Sequence, residues 1–343
     1  MELRHRLVRQ TIDRAITKAM EDMAGNTGRG IRKLIDLGLM FSTGENQKWF
    51  FSTAREVVSN PKNTYNRLIS GLLSGVKRDT LRTVGLNLGY SSLIYGARKL
   101  QRRQRPEDGP LPWLLVFDCS GFSPSLSARA EVLIREGREE GIYSYVFRLS
   151  EAEAVPALCA AAAEFGDCFF AFEVPAGLVS ERMAALFGAL PNAAVSVSLP
   201  AEGFADGSCV RAFRHLRKDR CFYGFHFGYG EEDTSPEAGS GLFREAVECG
   251  CVFGMFYALP GVSEPRRKEV YGLVTDERSG TGFPLVAFEW DSDLAEISRR
   301  IHVPAPCALI RPESSGTPDA GGPSLRNALW SARRGSAEGP RGK

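Results

Sequence analysis

Apolar and polar positions alternate most regularly in the stretch that begins at Trp113. Trp113–Asp118 is an apolar run of strand length, and Ile142–Leu149 is a second β-rich run. Between them, Leu126–Gly141 carries Leu133 and Ile134 on one face of an amphipathic helix. This order predicts a strand–helix–strand crossover, which requires a parallel sheet and a right-handed connection.

The same alternation continues along the chain towards residue 300. Strand-like runs lie at 113–118, 142–148, 167–173, 194–199, 221–228, 251–258 and 284–290. Helix-like segments lie at 126–140, 151–165, 178–189, 208–218, 236–249, 264–275 and 292–300. Strands that alternate with helices predict an α/β fold with a parallel sheet, curved or closed into a partial TIM-like barrel. A doubly wound open sheet is the alternative, although no glycine-rich phosphate-binding motif follows the first strand.

Residues 1–110 read differently, as an all-α N-terminal extension. Helical patterns cover 1–35, 47–58, 64–73 and 77–100, with a break at Asn26-Thr-Gly28. The second of these carries Trp49-Phe-Phe51, which suits either a membrane interface or packing on the barrel. No segment has the length of apolar residues that a transmembrane helix needs.

The last segment, 311–343, is rich in Pro, Gly, Ser and Arg. This composition predicts a disordered tail, in which the apolar patch at 325–330 could form a short docking helix. The predicted domains are therefore a basic helical extension (1–110), an α/β partial barrel (111–310) and a tail (311–343).

Charge is distributed unevenly along the chain. The formal net charge is +2, but residues 1–110 hold 20 Lys and Arg against 10 Asp and Glu, whereas the rest holds 23 against 31. A segment of net charge +10 indicates an anionic partner, either a membrane surface, nucleic acid or an acidic protein surface, and a solvated helical face is the alternative. The cations concerned are Arg4, Arg6, Arg9, Arg98, Lys99, Arg102, Arg103 and Arg105.

Cysteine usage and the N-terminus indicate the compartment. The chain starts without the apolar segment of a secretory signal, which predicts a reducing cytoplasm, with a membrane-peripheral location if the basic helices bind lipid. Eight cysteines are scattered without a CxxC pair, and Cys249-Gly-Cys251 is the closest spacing. Free thiols are therefore favoured over a thiolate metal site.

Several polar residues fall where predicted strands end, which is where parallel α/β folds collect their ligand-binding side chains. The four histidines lack metal-site spacing, and His226 is either a barrel-facing residue or a satisfied core histidine. Asp118 and Glu289 could equally act as helix caps or ion-pair partners of Arg148. The pocket-lining candidates are Asp118, Cys119, Arg148, Glu173, His226 and Glu289.

Four segments resemble radical SAM proteins of a group with a helical N-terminal extension. They are Trp113-Leu-Leu-Val-Phe-Asp118, Gly137-Arg-Glu-Glu-Gly-Ile-Tyr-Ser-Tyr-Val-Phe147, Asp167-Cys-Phe-Phe-Ala-Phe172 and Pro306-Cys-Ala-Leu-Ile310. The resemblance implies a partial (β/α)6 barrel, whose first loop holds a 4Fe-4S cluster on a CxxxCxxC motif. It also implies S-adenosylmethionine on the open iron of that cluster.

The chain departs from this family at both motifs. Its first loop offers only Cys119, whereas a site-differentiated cluster needs three thiolates. Leu149-Ser-Glu-Ala152 stands where the family has Gly-Gly-Glu-Pro, so Glu151 is the one matching cofactor-binding candidate, and a lone Glu there also suits a helix N-terminus. Of the late family cysteines, Cys307 is left.

Loss of both motifs predicts a pseudoenzyme: a non-catalytic radical-SAM-like protein that acts as a binding or regulatory partner of another protein or enzyme. The alternative is an enzyme, either a divergent radical SAM protein with displaced cluster ligands or a barrel with cluster-free chemistry. The pseudoenzyme hypothesis predicts that the protein holds no 4Fe-4S cluster and that it binds a protein partner. It leaves S-adenosylmethionine binding open. An anionic membrane is the next partner, through the basic N-terminal helices, and nucleic acid ranks below it.

Overall fold

The computed structural model describes residues 3–25, 27–41, 63–104, 109–120, 125–200, 203–232, 236–279, 282–311 and 324–329, together with the single positions 44, 48, 52, 55, 59, 60 and 332. The predicted aromatic cluster Trp49–Phe51 lies outside the described residues.

Helices and strands alternate through most of the described chain. The α-helices are Leu3–Gly25 (α1), Thr27–Phe41 (α2), Thr64–Gly75 (α3), Arg78–Val84 (α4), Ala97–Arg103 (α5), Leu126–Glu140 (α6), Ala154–Glu164 (α7), Glu181–Ala189 (α8), Gly207–Lys218 (α9), Pro236–Glu248 (α10), Glu264–Glu277 (α11) and Trp290–Ile301 (α12). The strands are Pro112–Cys119 (β1), Ser144–Leu149 (β2), Phe169–Pro175 (β3), Ala193–Ser198 (β4), Tyr223–Tyr229 (β5), Phe253–Ala258 (β6), Val286–Glu289 (β7) and Ala305–Ile310 (β8).

The predicted fold class is confirmed: this is an α/β fold of the partial TIM-like barrel type, with helices before the first strand. Strand pairings run β7–β6–β5 and β4–β3–β2–β1–β8, and each is parallel. The described chain has eight strands, two more than the (β/α)6 arrangement that the family resemblance implied. The residue pattern predicted seven strands and missed β8, which pairs with β1.

The chain divides into two compact units. Unit 1 comprises Met1–Arg82 and Leu199–Asp293, and unit 2 comprises Thr83–Ser198 and Leu294–Lys343. This division does not follow the predicted domain boundaries at residues 110 and 310. Those boundaries stay a prediction.

Unit 2 is built on a ladder of aromatic side chains. Phe147 stacks on Phe117 with ring centroids 5.5 Å apart, and it lies 5.3 Å from Phe172. Phe172 in turn packs on Phe187 of α8 at 5.1 Å, so this face of β1–β3 is covered by helices. Leu133 of α6 is fully buried, as its helical spacing predicts.

A π-helical segment, Gly85–Gly96, occupies the middle of the region 77–100, for which the sequence predicted one or two helices. Its buried Asn87 donates from Nδ2 to the carbonyl of Cys168 at 2.7 Å, just before β3. At its end, a Cβ placed on Gly96 would lie 2.4 Å from the carbonyl oxygen of Gly141. The segment is therefore fixed against the amino ends of the strands by backbone contact that glycine alone permits.

Unit 1 joins a helical hairpin to the β5–β6–β7 pairing. Met23 and Ile31 are buried between α1 and α2, and a Cβ on Gly30 would collide with Met23, so the two helices cross closely. Arg82 pairs with Asp13 of α1. Among the described helices, none is both long and apolar enough to cross a membrane.

Part of the predicted disordered tail packs against unit 2. Residues 325–329 are helical, and Leu325 and Leu329 are buried. The backbone N–H of Leu325 donates to the carboxylate of Glu136 in α6 at 2.6 Å. Residues 325–329 of the apolar patch therefore form a docked helical turn.

Candidate functional site

Three of the predicted site residues lie side by side in unit 2. The parallel register pairs Asp118 with Arg148, Arg148 with Glu173, and Glu173 with Ser196. Paired residues in a parallel sheet project to the same side, so these four form a polar row across β1–β4. The polar row lies near the carboxyl ends of the strands, where such folds bind ligands.

The two central members of the polar row form an ion pair. Nε of Arg148 donates to Oε2 of Glu173 at 2.8 Å. The Glu173 side chain is 6% exposed and that of Arg148 is 35% exposed. The carboxylate is thus nearly buried behind the guanidinium, which presents part of its surface to solvent.

Asp118 closes one end of the polar row. Its Oδ1 accepts hydrogen bonds from the backbone N–H of Ser120 at 3.2 Å and from the Ser120 hydroxyl at 2.7 Å. Oδ2 accepts from Nε of Arg311 at 3.0 Å. Partial burial acts to raise the pKa of Asp118, but the hydrogen bonds from Ser120 and Arg311 outweigh it and hold the pKa below its ordinary value.

Cys119, also predicted to line the pocket, does not join the polar row. It follows Asp118 in β1, and successive strand residues point to opposite faces. Its side chain is fully buried, and Sγ lies 3.6 Å from the carbonyl oxygen of Phe117. The prediction placed this thiol at a strand end but did not take the alternation of faces into account.

Glu151, the cofactor-binding candidate, lies two residues beyond the end of β2 and is half-buried. The helix that follows begins at Ala154, with Glu153 as its N-cap residue. A role for Glu151 in cofactor binding stays a prediction.

The two candidates of unit 1 lie on opposite faces of their strands. The register pairs His226 with Met255 and Met255 with Phe288, whereas Glu289 pairs with Phe256. His226 is half-buried, and its ring meets Tyr257 edge-on at 5.7 Å. The structure therefore does not bring Glu289 to the face that carries His226.

Glu289 is instead a buried cap of α12. Its Oε2 accepts from the backbone N–H of Ser292 at 2.7 Å, and its Oε1 accepts from the Tyr229 hydroxyl at 2.9 Å. Burial and the neighbouring Glu289 carboxylate raise the pKa of Tyr229, which keeps the hydroxyl as a donor. The capping role was one of the alternatives for Glu289, and the geometry fits it.

The sequence pattern did not predict two residues that belong to the polar edge of β1–β4, Ser196 and Arg311. Ser196 was read as part of an apolar strand, although its place between Val195 and Val197 marks the opposite face. Arg311 was assigned to the tail, but it pairs with Asp118. The period-two alternation around Ser196 could have predicted which face this residue lies on. The contact of Arg311 with Asp118 had no local signal, because it depends on β8 lying beside β1.

All eight cysteines are free thiols. Burial raises the pKa of Cys159 and of Cys221 to about 12, so these thiols stay protonated at neutral pH. In the part of the chain that the structure describes, no group of three or more His, Cys, Asp or Glu side chains is arranged to hold a metal ion.

The residues of the first loop do not fit an iron–sulfur cluster. Such a cluster needs three thiolates that converge from one loop, and Ser120–Ser125 contains no cysteine. The adjacent thiol, Cys119, is buried on the face opposite the polar row.

No family model and no curated protein matches the chain. Among solved structures, SuiB from Streptococcus suis bound to its precursor peptide SuiA is 10% identical, with a TM-score of 0.45, over 80% of this chain and 64% of that chain. SuiB bound to S-adenosylmethionine is 10% identical, with a TM-score of 0.43, over 72% and 54%. The 3-dehydroquinate dehydratase of Geobacillus kaustophilus HTA426 is 14% identical, with a TM-score of 0.39, over 66% and 93%.

The chain thus spans 54% to 64% of the length of these two SuiB chains. At 10% to 14% identity, these proteins share at most a fold with it. SuiB is a structural neighbour, and the resemblance to radical SAM proteins, with the loss of their motifs, stays a prediction.

Proposed function

We propose that this protein is a non-catalytic, radical-SAM-like binding protein that acts as a partner of another protein or enzyme. The observation that supports this most directly is the position of Cys119. The sole cysteine beside the first loop is fully buried and points away from the polar row. A thiol in that position is a core side chain and not a ligand at the mouth of the strands.

The polar row supports binding better than acid–base chemistry. Arg148 is engaged by Glu173, and Asp118 is engaged by Arg311. Because the pKa of Asp118 is lowered, this carboxyl group is ionised at neutral pH and is not a general acid, and the lowered pKa also makes it a weaker general base. A preformed set of fixed charges is suited to recognising polar groups on a partner or ligand.

The alternative is an enzyme whose cluster ligands have moved. Cys209, Cys249 and Cys251 interact electrostatically with one another in unit 1, which makes them the set to test. Burial raises the pKa of Cys209 to about 11 and that of Cys251 well above its ordinary value. A thiol with a raised pKa must lose its proton before it binds iron, which adds a free-energy cost to cluster assembly at these cysteines, so the binding role is favoured.

The deciding experiment is anaerobic reconstitution with iron and sulfide, followed by measurement of iron and acid-labile sulfide per chain. The protein, Cys119→Ser and Cys251→Ser are compared, and each is checked for folding by circular dichroism. We expect sub-stoichiometric iron in all three and no loss on either change. A stoichiometric cluster that disappears in Cys119→Ser overturns the proposal. A cluster that disappears only in Cys251→Ser also overturns it and establishes the displaced-ligand enzyme.

The binding role has its own readout, a partner captured by the full chain and tested against point variants. Arg148→Gln removes the exposed charge of the polar row, and Arg135→Gln on the outer face of α6 is the matched control. We expect partner affinity to fall in Arg148→Gln and to stay unchanged in Arg135→Gln. Equal affinities in both variants would place the binding surface elsewhere and refute the role of the polar row.

A further inference from the structure

The first two turns of α1 expose two leucines that the fold does not use. Leu3 is 70% exposed and Leu7 is 56% exposed. Residues four apart lie on the same side of a helix, so the two side chains form one apolar patch. Exposed single leucines are ordinary, but here most of the charged residues around the pair are basic, with Arg4, Arg6 and Arg9 against Glu2.

Basic side chains flank this pair. Arg4, Arg6, Arg14 and Lys18 are exposed on the same helix. Up to Lys18 the helix contains one acidic residue, Asp13, and Arg82 pairs with it. The outward face of α1, defined by Leu3, Leu7 and these four cations, is therefore apolar at its start and positively charged as far as Lys18, before the exposed Glu21 in the next turn.

The opposite side of α1 is held in place by packing. Ile12, Met20 and Met23 are buried, and a Cβ on Gly30 of α2 would meet the Ala19 carbonyl oxygen at 2.8 Å. The outward face is consequently presented on a helix whose inner face is already packed. It does not need to fold on binding, which lowers the entropic cost of association.

We propose that the outward face of α1 binds an anionic lipid surface. A helix that carries leucine beside arginine and lysine can insert the leucines at the boundary between headgroups and acyl chains, while the cations meet lipid phosphates and carboxylates. A nucleic acid would use the cations and gain nothing from Leu3 and Leu7. This inference rests on unit 1 alone and is independent of the proposed function.

The two kinds of side chain give separate signatures in co-sedimentation with mixed phosphatidylcholine–phosphatidylserine vesicles. Removing one cation near an anionic membrane costs about fivefold in binding, so Arg4→Gln with Arg6→Gln should weaken it roughly 25-fold at low salt. That loss should shrink as salt rises, because salt screens the attraction. Leu3→Ser with Leu7→Ser should weaken binding on the order of tenfold or more at every salt concentration, because apolar burial is not screened.

The matched control lies on α9, where Val210 and Arg214 are also exposed. Val210→Ser with Arg214→Gln removes one apolar and one basic side chain from the same unit, and we expect vesicle binding to stay unchanged. All changes are at exposed positions, and circular dichroism checks that each variant is folded. Duplex RNA replaces the vesicles in a parallel series.

Three outcomes overturn the proposal. One is the absence of vesicle binding at low salt, and another is equal loss in the α1 and α9 variants. The third is binding to duplex RNA that the arginine changes weaken, with vesicle binding indifferent to the leucine changes. Loss on the leucine changes, together with no binding to pure phosphatidylcholine vesicles, supports the lipid surface.

Discussion

Replacing Glu289 with alanine tests whether this predicted site residue is a structural carboxylate. Glu289 is 1% exposed and accepts hydrogen bonds from the Tyr229 hydroxyl and the Ser292 backbone N–H. The change leaves the buried Tyr229 hydroxyl and the half-buried Ser292 N–H without that acceptor. Each such donor costs about 1 to 3 kcal/mol, so we expect Glu289→Ala to lower the free energy of unfolding by about 3 kcal/mol after some relaxation. Glu289→Gln keeps one acceptor oxygen and should lose roughly half of this.

The assay is urea unfolding at neutral pH, followed by tryptophan fluorescence and far-ultraviolet circular dichroism. Because the chain has two units, the two signals must give the same midpoint before a free energy is taken from them. Glu245→Ala, at an exposed position of α10, is the control and should change stability by less than about 0.5 kcal/mol. If Glu289→Ala proves as mild as this control, the carboxylate does not hold Tyr229 and Ser292, and a ligand-binding role for Glu289 returns.

Two further predictions concern unit 2. Gly96→Ala places a Cβ 2.4 Å from the Gly141 carbonyl oxygen and should destabilise the protein by about 3 kcal/mol or abolish soluble expression. Gly89→Ala, in the same π-helical segment with nothing within 4 Å, should be tolerated, and thermal melting of the two variants compares them directly. For Asp118, the lowered folded-state pKa means that its stabilising contribution is present above the ordinary aspartate pKa and is lost as pH falls through the folded value. The difference in urea midpoint between the protein and Asp118→Asn should therefore be present at neutral pH, begin to shrink below about pH 4 and vanish only below the folded-state pKa. A difference that does not shrink in acid would contradict the hydrogen-bond assignment.

The secondary structure of the barrel strands was predictable because burial leaves a local signature. The apolar run at 113–118 became β1, and the helical spacing of Leu133 and Ile134 placed both in the core. β8 was missed although Ala305–Ile310 is apolar throughout. Pro306 lies within the run, and a proline inside such a run argues against a strand.

The π-helical segment shows a second limit. Its residues carry an apolar centre that fits an α-helix, and the pattern predicted one or two helices over 77–100. What distinguishes the segment is the hydrogen bond from Asn87 to the chain before β3 and the approach of Gly96 to Gly141. Both depend on residues at least 45 positions away, and no local periodicity reports them.

The polar row shows how far the candidate site could be derived and where geometry had to complete it. Asp118, Arg148 and Glu173 were predicted from one rule, that ligand-binding side chains follow the ends of parallel strands. That rule fixes the position along a strand but not the face. The parallel register supplies the face: it joins Ser196 to the row and removes Cys119, which lies one residue beyond Asp118.

Successive side chains of a strand point to opposite faces. The thiol of Cys119 therefore lies in the core, whereas the carboxylate of Asp118 lies in the polar row. The chemistry available at this edge is consequently that of fixed charges, two guanidinium groups and two carboxylates paired as Arg148–Glu173 and Arg311–Asp118. Any ligand that binds there must exchange contacts with those pairs. A partner that offers both an acidic and a basic group can do so without leaving a buried charge uncompensated, whereas a partner of one sign cannot.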